Sequence, residues 1–268
     1  MPTDAPGPLS PAAAYREHAP PAALRDALVC LWSHASAPDG AERAQPVLPD
    51  GCVDVLWVSD AEPVVAGPAT RSIVARVAPG TTIVGARFRP GWCAGVLGVD
   101  ASELRDLHLP LRDVAPALAR RLSTSVADRE ARMERVAVAG ALLARHLACV
   151  PPDGVVRGAV QWLARHPQGR MDGLSRALHV SPRQLQRRLL AASGYTPRTL
   201  RRILRFQRLL ALADAAGPGA RLSSLALRAG YADQAHMTRD VRDLAGTTPA
   251  ALLPGAGSAL RMANLFDS

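Results

Sequence analysis

Short apolar runs separated by turn residues occupy the chain from about residue 25 to residue 90. The runs are LVCLWS (28–33), VDVLWV (53–58), EPVVAG (62–67), SIVARV (72–77) and TTIVGARF (81–88). They are rich in β-branched and aromatic residues, and DG, GP and PG dipeptides lie between them, which is typical of strands joined by turns. After Pro90 the apolar residues recur at helical spacing up to about residue 148. The pattern predicts a β-rich segment followed by helices.

From residue 155 onward every periodic segment is helical in spacing, with apolar residues at i, i+4 and i+7. The segment VPPDG (150–154) interrupts the two patterns and marks the expected domain boundary. We predict an α+β chain with a flexible N-terminal segment (1–20) and a β-rich domain with a helical C-terminal part (21–150), for which a cupin-like fold is one alternative. An all-α domain (151–253) and a flexible tail (254–268) are expected to follow.

The all-α region contains an internal repeat. Residues 174–197 align with residues 225–249, and at an offset of 52 several pairs of equivalent residues match in character: Leu185 and Met237, Arg187 and Arg239, Leu189 and Val241, Gly194 and Gly246, Pro197 and Pro249. Each copy predicts a helix, a tight turn and a second helix of about three turns. Ser181 and Asp233 are suited to capping the two second helices, and Pro182 suits a first helical position.

The second helix of each copy directs polar side chains away from its apolar stripe. In the first copy these are Arg183, Gln184, Gln186 and Arg187, and in the second they are Gln234, His236, Thr238 and Arg239. Arginine can donate two hydrogen bonds to guanine, and glutamine can pair with adenine, in a major groove that accommodates a helix. An ordinary solvated helix face is the alternative. Because such a polar face occurs in both copies of the repeat, contact with base edges of double-stranded DNA is favoured.

Charge is distributed unevenly along the chain. The net charge is +9, yet residues 1–150 hold 15 arginines against 16 acidic residues, whereas residues 151–268 hold 17 arginines against 7 aspartates. The chain contains no lysine, so only the placement of charge is informative, not the choice of arginine. A basic excess confined to the region of the repeat is typical of a domain that binds a polyanion.

These motifs also carry a family resemblance. The pattern S-P-R-x-L-x-R-x-L…G-Y-T-P (181–197), followed by A-G-Y-x-D-Q…M-T-R…G-T-T-P (229–249), resembles the DNA-binding domain of AraC/XylS-type transcriptional regulators. The resemblance covers residues 155–253. It implies two helix-turn-helix units joined by a long helix, here 198–215, with two recognition helices in successive major grooves of promoter DNA. RNA polymerase, a small-molecule effector and a second protomer are the further partners that it implies.

Two departures from the family pattern concern the second unit. Met237 and Val241 stand where aromatic residues are common, and Asp240 and Asp243 add negative charge that phosphate groups repel. On the joining helix, Arg201 and Arg205 share a face and are candidates for phosphate contacts, which position a protein without specifying sequence. Solvation of an exposed helix is the equally weighted alternative for that face.

The N-terminal half offers one candidate effector site. Asp50, Cys52 and Asp54, together with Arg87 and Arg89 of the RFRPG segment, could line a polar pocket. The favoured alternative is a structural pairing of Asp54 with one of these arginines. In the helical stretch 128–148, small apolar residues form a face that suits packing on the β part or, less favoured, dimerisation.

An enzyme that uses its C-terminal domain for DNA targeting is the competing class of protein, either as a metal-dependent cupin or as a cysteine alkyl-acceptor repair protein. The histidines of the N-terminal half are single and far apart, and the four cysteines form no C-x-x-C pair and lie in no Pro-Cys-His-Arg context. We therefore predict a regulator that is not an enzyme, without metal or cofactor.

The first residues lack the order of a signal peptide and no apolar run could span a bilayer, so a cytoplasmic location without membrane contact is expected.

Overall fold

The computed structural model describes residues 14–59, 61–127, 132–147, 153–217 and 219–253. These residues form the strands β1 (Ala14–His18), β2 (Leu28–Ala35), β3 (Arg43–Val47), β4 (Val53–Val58), β5 (Val64–Ala66), β6 (Ile73–Val77), β7 (Thr82–Phe88) and β8 (His108–Pro110). In the first half the helices are α1 (Cys93–Leu97), α2 (Leu111–Val114), α3 (Pro116–Ala127) and α4 (Arg132–Leu147). In the second half they are α5 (Gly154–Arg165), α6 (Met171–Ala177), α7 (Pro182–Ser193), α8 (Pro197–Ala216), α9 (Leu222–Ala229), α10 (Gln234–Ala245) and α11 (Pro249–Leu252). The predicted division into a β-rich half with helices and an all-α half is confirmed.

The strands of the described residues form one large sheet and one small one. Six strands pair antiparallel in the order β1-β2-β7-β4-β5-β8, and β3 pairs with β6. The five apolar runs of the sequence correspond to β2, β4, β5, β6 and β7. The sequence pattern did not predict the other three strands, because each has only three to five residues and several of these are exposed. One of them, β1, lies within the segment expected to be flexible, where pairing with β2 orders Ala14–His18.

One face of the large sheet packs on helices. Leu31, Val55 and Phe88 on this face are buried together with Val136 and Leu143 of α4. Gly140 allows α4 to approach closely, since a Cβ there would lie 2.9 Å from a methyl carbon of Leu31. The apolar stripe of the 128–148 stretch therefore packs on the sheet, which is the favoured interpretation, as far as the described residues of that stretch extend.

The helical half has its own apolar core, to which α5 and α7–α10 all contribute. Leu48, from the loop between β3 and β4, is buried in that same core. Further hydrogen bonds cross between the halves: Gln207 Nε2 of α8 donates to the Pro49 carbonyl, and Tyr195 Oη donates to the Ala69 carbonyl, each at 2.7 Å. The two halves thus share a packed boundary.

Candidate nucleic-acid interface

The two repeat copies fold into equivalent helix-turn-helix units. Helices α7 and α10 each span 12 residues at an offset of 52, and each ends at a glycine in the left-handed conformation, Gly194 (φ 77°) and Gly246 (φ 70°). Helices α6 and α9 precede them as the first helices of the units. The 20-residue α8 joins the units. The repeat, its caps and its joining helix therefore agree with the sequence prediction.

The N-terminus of α7 is fixed by a capping box. Ser181 Oγ accepts a hydrogen bond from the Gln184 backbone N–H at 3.2 Å, and Gln184 Oε1 accepts from the Ser181 backbone N–H at 3.0 Å. The S-x-x-Q spacing that signals this box was present in the sequence. The box holds the Gln184 amide at the helix terminus, so this side chain stabilises α7 and is a weaker candidate for base contact than its neighbours.

The other three side chains of the predicted reading set on α7 are exposed. Arg183, Gln186 and Arg187 lie on the solvent face, while Leu185 and Leu189 are buried beneath it. The structure thus presents two guanidinium groups and one amide from the first unit. Arg188, beside them, forms an ion pair of 2.9 Å with Asp153, the residue that caps α5.

The corresponding face of α10 is mixed. Gln234 and Arg239 are exposed, whereas His236 and Thr238 are half-buried. Thr238 Oγ1 donates to the Gln234 carbonyl oxygen at 2.8 Å, so its hydroxyl is engaged within the helix. Of the predicted reading residues, the second unit therefore presents one guanidinium and one amide at exposed positions, with His236 half-buried beside them.

The acidic residues of α10 bind the joining helix. Asp240 is buried and accepts from Arg205 at 2.6 Å and from Arg202 at 2.9 Å, and Arg202 also reaches Asp243 at 2.9 Å. Arg205 lies over the ring of Tyr231, 4.4 Å from its centroid. The negative charge that the sequence suggested would repel phosphate is thus paired with arginines of α8.

These contacts correct the assignment of the joining helix to phosphate contacts. Arg205 is only 7% exposed, and its guanidinium serves the ion pair that holds α10 on α8. Arg201 is half-buried and donates to the Gly169 carbonyl oxygen at 2.8 Å, tying α8 to the loop before α6. Helical spacing placed both arginines on one face but could not reveal that this face meets other helices.

The imidazole of His236 contacts both Arg205 and Tyr231. Its Nε2 is 3.2 Å from Arg205 Nη2, and its ring packs edge-on against Tyr231. Burial, and next the positive charge of Arg205, lower the pKa of His236 below its ordinary value. The lowered pKa favours the neutral imidazole, which can accept a hydrogen bond from Arg205.

The predicted effector residues of the N-terminal half are brought together except for one. Arg87 is fully buried near the C-terminal end of β7, where the strand register places it opposite Asp54 of β4. Its guanidinium contacts Asp54 at 3.0 Å and Asp50 at 3.5 Å, and Cys52 lies in the same loop as Asp50. The pairing of Asp54 with an arginine, the favoured alternative, is the arrangement observed.

Arg89 lies apart from that cluster. Its Nε donates to the backbone carbonyl oxygens of Arg25 and Leu28, and its side chain faces a cleft between the two halves of the chain. The prediction that it joins Asp50 and Asp54 is therefore corrected: the chain turns after Phe88 and carries Arg89 to the domain boundary.

The cysteines that the structure describes are buried thiols. Burial raises the pKa of Cys30 and of Cys93 to about 12, and raises that of Cys52 as well. A thiol with a raised pKa is a poor nucleophile at pH 7. Cys149 lies outside the described residues.

Within the described ranges, no group of three histidine, cysteine or acidic side chains could hold a metal ion, and no helix is long and apolar enough to cross a membrane.

Comparisons with known proteins agree with this geometry at the level of domains. Residues 174–254 match a family model described as a helix-turn-helix domain, and residues 16–110 match one described as a domain of unknown function (DUF6597). No curated protein matches the chain. The match over 174–254 spans both units, and this region belongs to the class of helix-turn-helix domains. It is a domain of the AraC/XylS type.

Solved structures with a similar arrangement include ToxT and AraT. An apo form of ToxT from Vibrio cholerae is 11% identical, with 84% of this chain and 96% of that chain covered at a TM-score of 0.44. ToxT bound to (E)-4-(8-methylnaphthalen-1-yl)but-3-enoic acid is 10% identical, with coverage of 89% and 98% and a TM-score of 0.44. The C-terminal domain of AraT, a response regulator from Geobacillus stearothermophilus, is 20% identical, with coverage of 43% and 93% and a TM-score of 0.36. At these values the likenesses add nothing to the assignment, which rests on the helix-turn-helix match.

Proposed function

We propose that this protein is a sequence-specific DNA-binding transcriptional regulator that responds to an effector through its N-terminal domain. The observation that carries the proposal is the pair of equal helices, α7 and α10, each exposing arginine and glutamine and joined by α8. Two recognition helices on one rigid connection can enter successive major grooves on one side of the duplex. The proposed domains are residues 21–150 and 151–253.

Arg183, Gln186 and Arg187 of α7 and Gln234 and Arg239 of α10 are the proposed base-reading residues, because their side chains are exposed. His236 and Thr238 form the edge of the second set, and Gln184 combines capping with its place in the first. Arg187 and Arg239 are equivalent residues of the two copies, so each is expected to read one base, guanine being the preferred partner of arginine.

In-vitro selection of random duplex DNA with the full-length protein at physiological salt tests this proposal. The expected result is one asymmetric site with two short conserved patches about 10 bp apart, the spacing of successive major grooves. The variant Arg187→Ala should lose about 1–3 kcal/mol at a single base position. The matched control is Arg76→Ala on β6, an exposed arginine outside the helix-turn-helix units, and it should bind the selected site like the native protein. Failure to enrich any sequence would refute sequence-specific binding.

The proposed partners beyond DNA are a small-molecule effector, RNA polymerase and a second protomer. Selection of tandem or inverted copies of the site would indicate a dimer, and a single copy would indicate a monomer. The effector residues proposed from the sequence are Asp50, Cys52, Asp54 and Arg87, where an effector would have to compete with the existing ion pairs.

In this proposal the chain is not an enzyme: it binds DNA and changes transcription without altering a substrate. The raised pKa values of its buried thiols support this view, because an alkyl-acceptor cysteine works as a thiolate. Elemental analysis and intact-mass measurement of the purified protein after incubation with alkylated DNA provide the test. A stoichiometric metal or an alkyl adduct would favour the enzyme instead.

A further inference from the structure

A cleft of about 550 Å³ lies between the two halves of the chain. One wall is formed by Arg25 and Asp26 and by the turn from Arg89 to Trp92, which connects β7 to α1. The opposite wall is formed by α5 and by one face of α8. This volume lies within the range of small-molecule sites, which occur preferentially at domain boundaries.

The turn at the mouth of this cleft is built for close contact between the halves. Gly91 has a φ of +97°, and a Cβ at this position would lie 2.4 Å from the Cγ1 atom of Val156 on α5. Only glycine combines this backbone conformation with this approach. The two walls are therefore held at a fixed separation on one side of the cleft.

The cleft carries an excess of positive charge. Five arginines line it, against two aspartates: Arg25, Arg89, Arg157, Arg165 and Arg208 against Asp26 and Asp153. Asp153 is already committed to Arg188 and to the N-terminus of α5, and Asp26 lies 3.9 Å from Arg157. Within the described residues, these aspartates leave a net charge of +3 facing the cleft.

Between the arginines the lining is apolar. Pro90, Trp92, Val156, Val160 and Leu204 contribute carbon surface from both walls. Pro90, Val156 and Leu204 are buried, whereas Trp92 and Val160 are half-buried and accessible from the cleft. A ligand that fits must therefore join an apolar body to a negatively charged group.

We propose that this interdomain cleft binds a small organic anion, in which an aliphatic or aromatic body carries one negatively charged group. The arginines hold the anion by charge-assisted hydrogen bonds, and the apolar body covers Trp92 and Val160. Because α8 forms one wall and also joins the helix-turn-helix units, a ligand here would bear on both units at once. The identity of the ligand as an effector rests on the proposed function.

The experiment is a fluorescence titration of the full-length protein with 8-anilinonaphthalene-1-sulfonate, an aromatic anion. N-phenyl-1-naphthylamine, which has the same ring system without the sulfonate, serves as the uncharged control. The variants are Arg89→Gln and Arg157→Gln, one on each wall, and Val160→Trp, which fills the apolar part. Arg76→Gln, outside the cleft, is the matched control. Circular dichroism checks that each variant is folded, and Arg157→Gln, at an exposed position, keeps the test decisive if Arg89→Gln does not fold.

The expected result is saturable binding of one sulfonate probe per chain, weakened about ten- to a hundredfold by loss of either arginine and abolished by Val160→Trp. Arg76→Gln should bind like the native protein, and the uncharged probe should bind at least tenfold more weakly than the anion. Equal binding of both probes, or binding that the cleft variants leave unchanged, would overturn the proposal. The titration contains no DNA, so its failure would leave the proposed DNA binding intact, and failure of the DNA selection would leave a positive titration standing.

Discussion

A buried carboxylate pairs the second recognition helix with the joining helix, in addition to the apolar contacts of α10. Asp240 of α10 is 8% exposed and pairs with Arg205 of α8, which is 7% exposed, at 2.6 Å. Breaking a buried ion pair by removing one partner typically costs about 3–5 kcal/mol, because the other charge remains buried without its counterion. Arg205 retains its contact with the Tyr231 ring, which offsets part of this cost.

We therefore expect Asp240→Ala to destabilise the protein by about 3 kcal/mol, the lower end of that range. In a chain of this size about 2–4 °C of Tm corresponds to 1 kcal/mol, so thermal unfolding followed by circular dichroism should show a fall of about 6–12 °C. Asp243→Ala is the matched control. Asp243 contacts the same Arg202 but is 66% exposed, and its loss should cost less than about 1 kcal/mol.

A double variant separates charge pairing from packing. Replacement of both partners, Asp240→Leu with Arg205→Met, leaves no unpaired charge and should restore stability to within about 1 kcal/mol of the native protein. If the double variant loses as much stability as Asp240→Leu and Arg205→Met lose together when measured singly, the contact matters through shape and not through charge. A loss below about 1 kcal/mol for Asp240→Ala would refute the reasoning outright.

Three further predictions concern the boundary between the two halves and the imidazole of His236. Tyr195→Phe should cost about 1 kcal/mol in thermal unfolding, because it removes the hydrogen bond to the Ala69 carbonyl that joins the first unit to the N-terminal half; an unchanged Tm would contradict this. Gly91→Ala should destabilise by about 1–3 kcal/mol, since its φ is positive and its Cβ would collide with Val156, whereas Gly154→Ala, which meets no neighbour, should cost less. The lowered pKa of His236 means that the folded state resists protonation, so its contribution is fully present above pH 6.5, begins to fall as the pH drops below 6.5, and is lost below the folded-state pKa. His236→Gln should flatten this part of the stability profile, measured by denaturation between pH 5 and 8, and an unaltered profile would contradict the assignment.

The candidate nucleic-acid interface was largely predictable because its determinants are local. These determinants are the helical spacing, the Ser181 and Asp233 caps and the terminal glycines, and each acts within one or two turns of its helix. Both copies of the repeat carry them, so each copy supports the prediction made from the other. The capping role of Gln184 was equally local and could have been found from its three-residue spacing to Ser181.

The roles of the buried charges depended on tertiary structure instead. Arg205 and Asp240 lie 35 residues apart in sequence, and nothing in either helix alone shows that their faces meet. The register between β4 and β7 places Asp54 opposite Arg87, whereas Arg89, two residues later, lies at the boundary between the two halves. A charged residue in a sequence is compatible with solvent, DNA or a buried partner, and only long-range packing decides which of these it contacts.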